Sequence, residues 1–212
     1  MTPTLVERES ELKKRLAIPY HWGQRQNDDW DRRTNFVYHI YSFDALQLEL
    51  AARFLGDPFK EMLTDYSLNR WYNFWSARAV EEIFCSHPHV HAAPQRQDRL
   101  VDFTVKEIPF DHKTSIFPKG FKRPLDYARN HRDELLRWFY QSQSQEQRKH
   151  LKNRLFIVLH DSGGEHWKLK AELAWFETII RLYLDAFEKP KLAHLQFSHG
   201  VEAYADIIWA VR

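Results

Sequence analysis

Asp111 and Lys113 lie two residues apart in EIPFDHKTS, a short run whose mixed apolar and polar character predicts a β-strand. Side chains at i and i+2 of a strand leave the same face, so an anion and a cation are aimed together. Asp102 belongs to the preceding run, RLVDFTV. If the two runs form a hairpin turning at Lys106 and Glu107, the numbers of opposed residues sum to 213 and Asp102 falls across from Asp111. Cross-strand neighbours of that kind have Cβ atoms roughly 4.5–5.5 Å apart. Two carboxylates held so close repel, and one pKa must rise unless a cation lies between them. Hard oxygen ligands without Cys or an obligatory His suit Mg2+, with Mn2+ as a substitute, and magnesium leaves positions open for water and phosphate. Such an ion polarises a phosphate and lowers the pKa of bound water. Lys113 beside it would orient or help deprotonate that water and steady the charge that develops. The chemistry these three residues point to is metal-assisted hydrolysis of a phosphodiester.

Other groups compete for attention. His87, His89 and His91 alternate as HPHVH, and a strand would present all three on one face as a transition-metal arrangement. From Lys119 to Arg154 there are ten Lys or Arg against four Asp or Glu, an excess of six that leaves the remainder of the chain at minus four. That run is either a solvated helix face or a source of phosphate contacts, and its place directly behind the catalytic candidates favours the second. The segment IPYHWGQRQNDDWDRRTN carries His21, Trp22, Asn27, Asp28, Asp29, Trp30, Asp31, Arg32 and Arg33, which suit reading of base edges or a dimer contact. Trp71, Trp75, Trp138 and Trp175 fall in helical patterns and read as core.

The elements that must position these residues follow from periodicity. A short helix near residues 4 to 16 leads into the polar aromatic loop and then an apolar helix ending near Phe54. Asp57 before Pro58 marks a helix start, and another helix is expected from about Ser67 to Pro88. After Pro88, VHAAP, RLVDFTV and EIPFDHKTS read as strands. Pro124 opens a helix through about Tyr140, Ser144 with Gln147 makes a capping-box pattern, and RLFIVLH reads as a buried central strand. Leu169, Leu173, Phe176, Ile180 and Leu184 recur at helical spacing, and LAHLQFS and AYADIIWAV close as strands. The order is that of a mixed α/β sheet flanked by helices.

Composition bounds the rest. The chain has 212 residues, 43% of them hydrophobic and 15% aromatic, with 6 Gly and 9 Pro, which excludes a disordered or fibrous protein. The single cysteine, Cys85, excludes an internal disulfide framework and a Cys-based zinc knuckle, and fits a reducing compartment. Charges interrupt the amino-terminal residues MTPTLVERESELKKRL, and no run of eighteen uncharged apolar residues occurs, so a soluble, cytoplasmic protein with no membrane partner is expected. The net charge of +2 is uninformative about a partner.

VDFTVKEIPFDHKTS resembles the catalytic hairpin of the PD-(D/E)XK nuclease superfamily, which includes many restriction endonucleases and Holliday-junction resolvases. The resemblance covers roughly residues 67 to 165. It implies that Asp102 and Asp111 bind the metal, that Lys113 is catalytic, and that the backbone carbonyl of His112 is a further ligand. The family's preceding helix often supplies a Glu that faces the metal. ARAVEEIF offers Glu81 and Glu82, of which only one can face the site because adjacent helical residues point about 100° apart, and the family's spacing favours Glu81. A downstream helix often brings a polar residue to the phosphate, here Gln143 in YQSQSQEQR. Two positions depart from the pattern: Val101 stands where the family often has Pro, and Pro109 removes a ladder donor from the second strand, so that a bulge could slip the register.

The resulting expectation is a restriction-endonuclease-like mixed β-sheet flanked by helices over residues 67–212, with a helical amino-terminal extension over 1–66. The implied activity is Mg2+-dependent endonucleolytic hydrolysis of DNA in restriction or defence, leaving a 5′-phosphate, with a homodimer suited to cutting both strands. The alternative is the same fold retained without turnover, as a module that binds nucleic acid or protein.

Overall fold

A computed structural model of the chain describes residues 3–21, 28–93, 101–142, 151–197 and 200–212. The chain folds as two compact units, Met1–Val80 with Lys170–Ala174, and Glu81–Leu169 with Trp175–Arg212.

The first unit is helical: α1 (Leu5–Lys14), α2 (Asp28–Thr34), α3 (Phe43–Arg53) and most of α4 (Lys60–Cys85). Helix α1 starts on a capping box, in which Thr4 accepts from the Glu7 amide while the Glu7 carboxylate accepts from the Thr4 amide. α4 runs 26 residues without a break, whereas separate starts near Asp57 and Ser67 were expected. The reason is visible in its residues: no Pro or Gly occurs between 60 and 85, and the stretch through Ser67, Leu68, Asn69, Trp71 and Tyr72 is buried. Asp57 does act at the amino end, accepting from the Phe59 amide at 2.8 Å. The polar aromatic segment also differs from expectation, since α2 forms within it. Trp30 packs edge-on against Tyr66 at 5.5 Å, and Arg32 and Arg33 fall in the last turn, where cations complement the helix dipole.

The second unit is a six-stranded mixed sheet flanked by helices, with strands β1 (Val90–Ala92), β2 (Phe103–Val105), β3 (Ile108–Ile116), β4 (Arg154–His160), β5 (Ala193–Gln196) and β6 (Glu202–Val211) in the order β1-β2-β3-β4-β6-β5. β1, β2 and β3 form an antiparallel meander, and β4 lies parallel to both β3 and β6. The expected buried central strand is β4, in which Leu155 through Leu159 are all 0% exposed. Between β3 and β4 come α5 (Leu125–Asn130) and α6 (Arg132–Ser142), and α7 (Leu173–Asp185) precedes β5. A single helix from Pro124 to Tyr140 was expected. Instead α5 ends at His131, whose amide and Nδ1 both reach the Tyr127 carbonyl at 2.9 Å while its ring stacks on Tyr127.

One sheet face packs Phe139 of α6 flat on Phe156 at 4.6 Å, inside a buried cluster that includes Leu135, Leu136, Val158, Ala205 and Ile207. On the other face Phe84 of α4 stacks on Phe103 at 4.5 Å, and Phe110 meets Phe187 edge-on. Of the four tryptophans expected in the core, Trp71 is fully buried, while Trp75, Trp138 and Trp175 are half-buried. Among the described residues, no helix is long and apolar enough to cross a membrane. Ser144, Gln147 and Gln143 lie outside the described residues, as do Trp22 and Asn27.

Candidate active site

The β2–β3 hairpin forms in the expected register, with Phe103 opposite Phe110, Thr104 opposite Pro109 and Val105 opposite Ile108. Its two turn residues, Lys106 and Glu107, have φ of 45° and 69°, the left-handed pair that a two-residue hairpin loop requires. Pro109 causes no slip. Its missing N–H would point toward β4, but β3 joins β4 only from Asp111 onward, and the Pro109 carbonyl is met by Asn153 Nδ2 at 3.1 Å.

At the open end of this hairpin Asp102 lies close enough to Asp111 for its charge to act on it. Both are half-buried. Asp102 Oδ2 accepts from the His112 amide at 2.8 Å and from His112 Nδ1 at 2.7 Å. Because a carboxylate only accepts, Nδ1 is the protonated ring nitrogen. The imidazole is braced in turn against the stacked Phe103 and Phe84 rings, at 5.9 Å and 6.0 Å. Asp111 Oδ2 accepts from Arg154 Nε at 2.7 Å and Nη2 at 2.6 Å. Arg154 is the cross-strand partner of Asp111 in the parallel β3–β4 ladder, and its guanidinium lies over the rings of Tyr140 and Phe156.

The two acids are driven apart electrostatically. Burial opposes the charge on Asp102, yet the hydrogen bonds and charge of His112 outweigh it and hold the carboxyl below the usual carboxylate range. Burial pushes Asp111 up, the Arg154 cation pulls it back, and the Asp102 charge adds to the rise, leaving it above the usual range.

Lys113 is exposed and, two residues along β3, leaves the same face as Asp111. Strand alternation also places the His112 carbonyl. The Asp111 amide donates across to the carbonyl of Asn153, just before β4, so the peptide groups of His112 point to the opposite edge, where Asp102 lies. Glu81 and Glu82 occupy the last turns of α4 and are half-buried. Glu81 is one turn before Phe84, but among the described residues no three His, Cys, Asp or Glu side chains gather closely enough to hold a metal. Asp102, Asp111 and the His112 carbonyl are the oxygen donors at this end of the hairpin. That set fits a magnesium-like ion, which keeps several waters and takes few protein ligands.

No family model, no curated protein and no solved structure matches the chain.

The three histidines do not share a strand face. His87 and His89 lie in the turn after α4 and only His91 is in β1, because the β1 ladder starts at Val90. His87 is buried with Nε2 3.1 Å from Asp185, and its Nδ1 accepts from the His89 amide. Three contributors to the acidic site were not legible beforehand. In the sequence Arg154 reads only as the end of a basic run, His112 enters only through its carbonyl, and Asn153 carries no signal. Asn153 Oδ1 accepts from the Tyr204 amide at 2.8 Å, so this residue pins β4 between β3 and β6 at the level of the acids.

Proposed function

We propose that the chain is a Mg2+-dependent endonuclease of the PD-(D/E)XK type acting on DNA, in restriction or a related defence. The observation that carries this reading is the meeting of Asp102 and Asp111 at the open end of the hairpin, with Lys113 leaving the same face of β3 as Asp111. The element order supports it too: a helix, an antiparallel meander, a helical crossover and then a strand parallel to β3. Asp102, Asp111 and the His112 carbonyl would hold the ion, which when bound polarises a phosphate and acidifies water. Lys113 would orient the attacking water and steady the charge on the phosphate oxygens. Lys119, Lys122, Arg123, Arg129, Arg137 and Lys152 are exposed and would supply phosphate contacts that weaken as salt rises. Cutting of both strands would use two copies of the chain.

The test is nicking of supercoiled plasmid by the purified protein with Mg2+ and with chelator. Activity that survives both Asp111→Ala and Lys113→Ala removes the assignment.

One observation favours a second reading, a nuclease-fold module that binds without turnover. Arg154 already gives Asp111 a cation through two nitrogens. Calorimetric titration with Mn2+ separates the two, since a binding module needs no ion between Asp102 and Asp111.

A further inference from the structure

The same device occurs twice at the acidic pair. Two donors converge on one oxygen of each carboxyl: the His112 amide and Nδ1 on Asp102 Oδ2, and Arg154 Nε and Nη2 on Asp111 Oδ2. The donors come from opposite sides. The strand order β2-β3-β4 puts Asp102 on one flank of Asp111 and Arg154 on the other. The guanidinium therefore grips Asp111 from the flank away from Asp102, and Oδ1 of each acid stays outside both grips.

We propose that Arg154 and the His112 imidazole are positioning residues, each clamping Oδ2 of one acid so that the two carboxyls present their remaining oxygens together to a hard divalent cation. This rests on the reading of the site as a metal-dependent centre. Both clamps are themselves braced. The His112 side chain is 7% exposed against the stacked Phe103 and Phe84, and the Arg154 side chain is 12% exposed over Tyr140 and Phe156. A ligand oriented by hydrogen bonds from a fixed neighbour loses less freedom when the ion binds, and removing such neighbours costs on the order of 10–100-fold in metal affinity. The opposite role, a built-in cation that competes with the ion, has the opposite signature.

The experiment is calorimetric titration of the full chain with Mn2+, with thermal melts of every variant. Arg154→Gln should weaken Mn2+ binding by about 10-fold or more, and Arg154→Lys should recover part of it with its single ammonium. His112→Leu, which keeps the apolar slot filled but has no ring donor, should weaken binding by about 10-fold. His112→Asn, which keeps a side-chain N–H, should recover most of it. If Arg154→Gln fails to fold, the His112 pair decides. Tighter or unchanged Mn2+ binding in Arg154→Gln and His112→Leu overturns the inference while leaving the metal centre intact. Absence of Mn2+ binding by the wild-type chain overturns both.

Discussion

Both units bury charge, and they treat it differently. In the helical unit the buried charges are cations met mostly by neutral oxygens, with Arg70 also 3.5 Å from the Asp31 carboxylate. Arg15, 0% exposed, donates to the Ile18 carbonyl at 2.5 Å and to Asn69 Oδ1 at 3.1 Å. Lys170 donates to Asn73 Oδ1 at 2.6 Å, and Arg70 reaches the Asp31 carbonyl, Asn35 Oδ1 and Tyr38 Oη. In the sheet unit two acids share one place, and their repulsion is only partly answered by Arg154 and His112. Cations on neutral acceptors fix one packing, and for Lys170 burial of the charge costs stability. A pair of acids in which one is pushed above the usual carboxylate range costs stability, a pattern more frequent at functional sites than at structural ones.

The sharpest break of that contrast is Asp111→Asn. It keeps the shape, removes the repelling charge, and should reduce plasmid nicking on the order of 10³-fold while leaving the urea midpoint unchanged or higher. A large loss of stability would place Asp111 with the structural charges instead. Arg15→Ala should do the reverse. It leaves the Ile18 carbonyl and Asn69 without their donor and opens a cavity, at a cost of about 3 kcal/mol read by urea unfolding. A cost under about 1 kcal/mol would show that the neutral cradle contributes little.

Lys170 sharpens the comparison through pH. Burial pushes its amine down from 10.5 to about 8. Below pH 8 both folded and unfolded chains carry the proton, and the full penalty of burying the cation is present. Between 8 and 10.5 only the unfolded chain keeps it, so stability rises with pH across that window. Lys170→Met should therefore stabilise the protein at pH 7 by about 2 kcal/mol, and its advantage should shrink steadily toward pH 10. An advantage that is constant with pH would assign the gain to packing.

Local patterns made most of the sheet unit legible. RLFIVLH announced a buried strand by its unbroken apolar run, and the Lys106–Glu107 turn with the register of its hairpin followed from period-two geometry. What stayed hidden depends on partners distant in sequence. Arg154 meets Asp111 only because β4 lies in parallel beside β3 in one of several feasible registers, and nothing near either residue encodes that choice. The His131 break in the α5–α6 segment was hidden for another reason. It comes from a ring folding back on Tyr127, where helical periodicity continues undisturbed on either side. α4 differs in the opposite sense: the start marked by Asp57 holds, and the second start expected near Ser67 is absent because the buried Ser67–Tyr72 stretch carries the helix straight through.

The smallest expected effect tests the turn on which the meeting of the acids depends. Glu107 holds φ of 69° and is exposed, in a loop type that favours Gly or Asn. A side chain there costs about 1–2 kcal/mol, and glycine gives back part of that gain through its freer unfolded chain. Glu107→Gly should raise stability by about 0.5 kcal/mol with nicking unchanged, because the pairing of Phe103 with Phe110, and so the placement of Asp102 beside Asp111, is the same with either residue. Lys106 is the less suitable choice, since its amide donates to the His89 carbonyl and its amine to the Phe187 carbonyl. If Glu107→Gly destabilised the chain or reduced nicking, the two-residue left-handed turn would not be what sets the register, and the convergence of the acids would have to be maintained by the β3–β4 ladder instead.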